Sequence, residues 1–362
     1  CPGDEKGTAI LKSYWKSIRR GLLKKPIDRI GFGGYLKQIE NYPKLIKAIK
    51  AVCDEFRQIR EMIGHGSCCM MTKVAVISYW GKLDSWMQNG IFVDDVRQDG
   101  YFYSTMMFAL SVLPVKVDFL SFEDVVKSGL ENYDVVISNG LPGTSFQGDK
   151  CWANPELVSS IRRFVDEGGG FIGVGEPSGY QYQGRYFQLS DVLGLEKECN
   201  FTHFEKRNPI ESSKQHWITE NIDFSKIRFN PNVRGIYPLT ATVLSAHFDD
   251  EYPLGYQNAG HVDFAVNEYG NGRSVYFSGL SNINESYRLI YKAILWAGKN
   301  EEKFTQCYCD NPSIDVYYYN NRNKYAVINL SDNKVSDFYR DINGYKREIV
   351  LKPNEIQWID EK

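Results

Sequence analysis

The stretch GGGFIGVGEPSGYQYQGRYFQL, residues 168–189, decides how the middle of this chain is read. Gly168, Gly169 and Gly170 stop a helical pattern that starts behind Asn154, with Pro155 suited to its first turn. The run from Gly170 to Glu176 is apolar without alternation, as expected of a strand buried on both faces of a parallel sheet. Three further segments share that grammar: KVAVISYW (73–80), VKVDFL (115–120) and YDVVISNG (133–140), separated by helical patterns near 99–113, 122–129 and 155–167. Strands alternating with helices predict a doubly wound α/β domain over residues 71–300. HVDFAVNEYGNGRSVYFSGL adds a hairpin around Asn271-Gly272, and a last helix runs from about Glu285 to Ala297.

The flanks read differently. Residues 8–23 place Ile10, Leu11, Tyr14, Trp15, Ile18 and Leu22 at helical spacing, with Lys16, Arg19 and Arg20 off that face. A short strand, Ile27 to Ile30, precedes the turn RIGFGGY, and a helical pattern from Tyr35 to Ile63 follows with Leu45, Ile46, Ile49, Cys53, Phe56 and Ile59 on one side. Helix, strand and helix over 1–70 resemble the tail of a β/α (TIM-like) barrel whose earlier part is not in this chain. Residues 301–362 are short and alternating, and predict a small antiparallel β domain with Tyr317, Tyr319, Val327, Ile349 and Trp358 on one face.

Composition narrows the chemistry. Forty-three basic and 45 acidic residues give a formal charge of −2, so no global field favours nucleic acid or a membrane surface. The 24 Tyr, 20 Phe and 7 Trp suit a protein that stacks rings on sugars, and equally a large ordinary core. Eight cysteines are too few for a disulfide scaffold, and neither they nor the five histidines show metal-ligand spacing. These features predict a soluble, cytoplasmic protein without a metal.

Two places carry candidate chemistry. In the opening turn, Gly31, Gly33 and Gly34 permit close backbone approach, a helix starts near Tyr35, and Arg29 offers a fork of donors. The spacing is neither the dinucleotide G-x-G-x-x-G nor a Walker loop, and the residues alone leave open an anion site or a tight connection. In the α/β domain the loops after the third and fourth strands bring Asn139, Trp152, Glu176, Tyr180 and Gln183 to the edge where such sheets bind ligands, as sugar contacts or as an interface. The central domain resembles class I amidotransferase-like folds, whose nucleophilic Cys follows a strand such as this one. Here the elbow is Gly173-Val174-Gly175-Glu176-Pro177 and has no thiol, and Cys151 lacks an obvious base.

IDRIGFGGYL, GGGFIGVGEPSGYQYQGRYFQLSDVLGL and GHVDFAVNEYGNGRSVYFSGL, in this order, resemble the C-terminal half of the 1,3-β-galactosyl-N-acetylhexosamine phosphorylase family, which includes lacto-N-biose/galacto-N-biose and galactosyl-rhamnose phosphorylases. The resemblance implies a broken barrel, an amidotransferase-like domain and a small β domain. It implies inverting phosphorolysis of a terminal β-galactoside, galactosyl-β-1,3-N-acetylhexosamine or galactosyl-β-1,4-rhamnose, to α-galactose 1-phosphate and an acceptor sugar. No cofactor is needed, since phosphate is itself a substrate. By the same analogy Arg29, Gly31, Gly33, Gly34 and Tyr35 belong to the phosphate and sugar site, and Glu176 is a further candidate. The proton-donating carboxylic acid is expected upstream of this chain, Asp4 and Asp28 having no matching context, so the isolated chain is expected to be inactive. The multi-domain architecture is compatible with a homodimer. The alternatives are a fragment of a retaining β-galactosidase and a non-catalytic sugar-binding or oligomerisation module.

Overall fold

A computed structural model describes residues 3–31, 33, 36–70, 72–78, 103–144, 146–198, 210, 212–213, 215–248 and 260–361. The chain divides into two compact units, one made of residues 1–70, 111–114 and 304–362, the other of 71–110 and 115–303.

The first helix, α1 (Asp4–Lys24), buries Trp15, Leu22 and Leu23. Arg19 and Arg20 are buried as well, contrary to their expected outward position, whereas Ile10, Tyr14 and Ile18 are exposed. Carboxylates distant in sequence account for the inward arginines: Arg19 Nη1 donates to Glu55 at 3.1 Å and Arg20 Nε to Asp315 at 2.6 Å. Buried cations persist where such partners offset desolvation.

No strand forms over Ile27–Ile30. A strand needs a neighbour for its backbone groups, and none of the described strands pairs with this segment. The long helix expected from Tyr35 is two helices, α2 (Leu36–Ile39) and α3 (Pro43–Ile63). Pro43 explains the break, because it suits a first helical position and keeps the preceding Tyr42 out of helical conformation. Tyr42 gives no side-chain cap, and Asp4 supplies one by accepting from the Lys44 and Leu45 amides at 3.2 and 2.8 Å.

The second unit is built on a seven-stranded sheet. Its elements in chain order are β1 (Thr72–Ile77), α4 (Tyr103–Val112), β2 (Val115–Leu120), α5 (Phe122–Ser128), β3 (Val135–Gly140), α6 (Pro155–Asp166) and β4 (Gly170–Gly175). A small hairpin of β5 (Gly179–Tyr182) and β6 (Arg185–Phe187) follows, then α7 (Ser190–Leu193) and the paired β7 (Leu195–Lys197) and β8 (Ile236–Pro238). The unit closes with β9 (Thr242–Phe248), β10 (Gly260–Tyr269), β11 (Gly272–Phe277) and α8 (Asn284–Ala297). The order β2-β1-β3-β4-β11-β10-β9 is parallel as far as β11 and antiparallel beyond it.

Local chemistry sets these elements. Ser121 and Asp124 form a reciprocal capping box on α5, and Asn154 accepts from the Glu156 amide at 2.9 Å ahead of Pro155. Gly170 has no room for a side chain, since a Cβ there would lie 2.6 Å from the backbone of Ala297 in α8. The β10–β11 turn is Gly270-Asn271, one residue earlier than the sequence reading, because Gly270 takes the positive φ of 55°.

The C-terminal segment returns to the first unit. Its strands are β12 (Tyr308–Cys309), β13 (Ile314–Tyr319), β14 (Lys324–Asn329), β15 (Val335–Arg340), β16 (Lys346–Leu351) and β17 (Ile356–Asp360), arranged as sheets β13-β14-β17 and β12-β15-β16. The residues expected on one face lie on two. Tyr317, Tyr319, Ala326 and Ile328 pack with Trp15, Leu22, Leu23, Ile59 and Ile63, while Val316, Tyr318, Tyr325 and Val327 pack with Ile349 and Leu351 of the other sheet. Alternation along β13 and β14 thus feeds two cores, with α1 and α3 on one side and the second sheet on the other. Among the described residues no helix is long and apolar enough to cross a membrane.

Candidate functional site

Arg29 and Glu176, the two charged candidates, lie in different units. Arg29 follows α1 in a stretch without regular secondary structure, is exposed, and has no hydrogen-bond or ion-pair partner among the described residues. The neighbouring carboxylate could have neutralised it. Asp28 instead accepts from Arg60 Nη2 at 3.2 Å, and Arg60 also donates to the Gly64 carbonyl at 3.1 Å. Arg29 is therefore left with a full set of donors.

Gly31 and Gly33 are exposed, and a Cβ at either would meet nothing within 4 Å. Packing does not explain these glycines, which leaves close approach by a ligand as a use for them. Gly34 and Tyr35 lie outside the described residues. What the described part of the turn offers is an unneutralised guanidinium beside bare backbone, suited to a phosphate or carboxylate.

At the end of β4, Gly175 has φ 80° and turns the chain sharply. The Glu176 amide, which would face an oxyanion at a working elbow, donates to the Gly140 carbonyl at 3.0 Å. The Glu176 carboxylate is buried and accepts from both Lys197 Nζ and Tyr186 Oη. Tyr276 Oη donates to the Gly175 carbonyl at 2.9 Å, and burial, reinforced by nearby Glu176, pushes the Tyr276 phenol well above its usual range. These bonds tie the Gly175–Glu176 turn to β3, β6, β7 and β11.

Of the loop residues singled out as sugar contacts, Trp152 is a correction. It is fully buried, its Nε1 donates to the Gln147 carbonyl at 2.6 Å, and its ring meets Phe122 edge-on at 5.6 Å. A ring with no exposed face cannot stack on a sugar. Asn139 is buried too, and neither side-chain amide atom has a hydrogen-bond partner. Tyr180 is half-buried and Gln183 exposed.

Two features escaped the sequence reading. Gln147 organises both loops, its Nε2 donating to the carbonyls of Glu176 and Gly179 at 2.9 and 2.8 Å. His247 Nδ1 lies 2.8 Å from buried Asp263, which also accepts from Ser278 Oγ at 3.2 Å. Asp263 sits between the histidine and the serine, so the imidazole is not placed to activate that hydroxyl. The only sequence signal was the polar residue at 263 inside an apolar strand. Among the described residues no three His, Cys, Asp or Glu side chains are grouped to hold a metal ion.

Comparison with known proteins bears on the whole chain. The family model described as the Lacto-N-biose phosphorylase N-terminal TIM barrel domain matches residues 4–71, that of the central domain matches 73–302, and that of the C-terminal domain matches 307–359. A 1,3-beta-galactosyl-N-acetylhexosamine phosphorylase of Lachnoclostridium phytofermentans is 38% identical over 354 residues, 96% of this chain and 47% of the relative. One from Bifidobacterium longum is 31% identical over 95% of this chain and 49% of its own. A D-galactosyl-beta-1->4-L-rhamnose phosphorylase of L. phytofermentans is 30% identical over 90% of this chain and 43% of its own. The chain spans about half the length of the curated relatives it matches.

Proposed function

Since this chain belongs to the lacto-N-biose phosphorylase family, we propose that it is part of an enzyme that cleaves a terminal β-galactoside with inorganic phosphate, giving α-galactose 1-phosphate and a free acceptor sugar. The observation that carries this reading is the ordered match of all three family domains across residues 4–359. Relatives named for N-acetylhexosamine and for rhamnose supply the acceptors to test.

In this reading phosphate attacks the anomeric carbon from the face opposite the leaving sugar, so configuration inverts. A carboxylic acid from the barrel portion, outside residues 1–362, protonates the departing oxygen. Phosphate is already an anionic nucleophile and needs no general base to activate it. Arg29 holds that phosphate, while the bare backbone at Gly31 and Gly33 lets phosphate and sugar come close, and Gly34 and Tyr35 are further candidates for the same site. The unspent guanidinium, with Asp28 committed to Arg60, supports this role. The central domain is an amidotransferase-like scaffold without that chemistry, which the glycine at position 175 supports. The enzyme is cytoplasmic, homodimeric, and free of metal and organic cofactor.

The test is to incubate the full-length polypeptide containing this segment with lacto-N-biose, galacto-N-biose and galactosyl-β-1,4-rhamnose, with and without phosphate. Galactose 1-phosphate formed only with phosphate is the expected product. Free galactose released at the same rate without phosphate would overturn the reading in favour of a β-galactosidase.

A further inference from the structure

The β5–β6 hairpin and the start of α6 enclose a groove of about 300 Å³ that the proposed phosphorolysis leaves unused. That volume stands at the lower end of ordinary small-molecule sites, about 300–1,000 Å³. Trp152, Arg162, Tyr182, Gln183, Arg185 and Gln188 are among its lining residues.

The groove is rigidly built. Gln188, itself 6% exposed, donates through Nε2 to the carbonyls of Tyr180, Tyr182 and Arg185 at 2.9, 3.2 and 3.2 Å, which fixes the hairpin from beneath. Arg162 is held by Asp191 at 2.8 Å and donates to the Gln188 carbonyl at 2.8 Å. Trp152 and Gln147 lock the opposite loop through their 2.6 Å bond.

Against this fixed floor the upper residues have nothing to hold. Tyr182 is 40% exposed, and the side chains of Tyr182, Gln183 and Arg185 have no hydrogen-bond partner among the described residues. The two-residue turn Gln183-Gly184 has positive φ at both positions, 50° and 79°, between paired Tyr182 and Arg185. A turn of that kind favours Asn or Asp at its first position, where a longer side chain is disfavoured. Gln183 is thus a poor turn residue whose longer amide reaches further.

We infer that this groove is a second, non-catalytic binding site for a neutral monosaccharide, stacked on Tyr182 and hydrogen-bonded by Gln183 and Arg185. A pyranose has an apolar face for the ring and hydroxyls that accept from guanidinium and exchange hydrogen bonds with the amide. Asp191 neutralises Arg162, so the groove does not carry the paired cations that a dedicated phosphate site would use. The inference is independent of the phosphorolysis reading, because it is tested by binding alone.

The experiment titrates the 362-residue chain with galactose and with N-acetylglucosamine, by calorimetry and by amide hydrogen exchange, with orthophosphate as the anion control. At least one sugar binds in the millimolar range and slows exchange within residues 179–188. Tyr182→Ala weakens that binding about tenfold, as loss of an aromatic platform should. Gln183→Asn weakens it severalfold without lowering the melting temperature, which separates binding from folding. No sugar-dependent protection at 179–188, unchanged binding in Tyr182→Ala, or the same protection with orthophosphate would each overturn the inference.

Discussion

Replacing Asp315 by Ala should destabilise the first unit by about 2 kcal/mol, because a partly buried ion pair is one of the links that join α1 to β13. Arg20 Nε on α1 donates to Asp315 on β13 at 2.6 Å, and the side chains are only 10% and 23% exposed. Charge centres about 4 Å apart at an effective dielectric near 20 attract by about 4 kcal/mol. Residual solvent access reduces this to about 2 kcal/mol, and Tyr317 Oη, 3.2 Å from the same carboxylate, adds little because its single hydrogen also has the Val112 carbonyl at 3.1 Å. The assay is urea denaturation, with hydrogen exchange of α1 and β13 to localise the effect. Both elements should lose protection together. The control is Arg20→Met with Asp315→Leu, which removes both charges and should recover most of the loss. A loss under about 0.5 kcal/mol, the range of exposed pairs, would refute the reasoning. So would loss of protection in β13 alone.

Leu23→Ala, at a fully buried position between α1 and the β13–β14 sheet, should cost about 2–5 kcal/mol in the same denaturation assay. Gly170→Ala and Gly31→Ala should separate fold from function. The first drives a methyl to 2.6 Å from the backbone of Ala297 and should markedly lower the melting temperature, whereas the second meets nothing within 4 Å and should leave it unchanged while reducing phosphorolysis by the full-length enzyme. Burial lowers the Lys24 ammonium from 10.5 to about 8. Between those values the unfolded chain binds more protons, so stability rises with pH, by about 1 kcal/mol from pH 8 to 9, and the penalty is complete below pH 8. Denaturation at pH 7, 8 and 9 should show this rise, and Lys24→Met should flatten it.

Strands buried on both faces were legible because a parallel sheet covered by helices demands continuous apolar runs, and Val135–Gly140 and Gly170–Gly175 are buried throughout. Helix starts were legible where the signal is local, as at Asn154-Pro155. The readings that failed depend on partners far away in sequence. Arg19 and Arg20 look like surface residues until Glu55 and Asp315 arrive to pair with them. Ile27–Ile30 has strand composition but no pairing strand among the described residues, and alternation in β13 does not say that both faces are covered. At the candidate site, the type of residue at Arg29, Gly31 and Gly33 was legible, but the commitment of Asp28 to Arg60 was not. Trp152 looked like a sugar platform because sequence does not distinguish an exposed ring from one sealed by Phe122 and Gln147.

The central claim is that Arg29 holds the attacking phosphate. Steady-state phosphorolysis by the full-length enzyme, with phosphate varied at saturating disaccharide, tests it in the wild type, Arg29→Lys and Arg29→Ala. Losing a charge-assisted fork on phosphate should raise the phosphate KM by about 10- to 100-fold in Arg29→Ala, less in Arg29→Lys, and leave the disaccharide KM near its original value. An unchanged phosphate KM in Arg29→Ala, with the variant folded and active, would contradict the account.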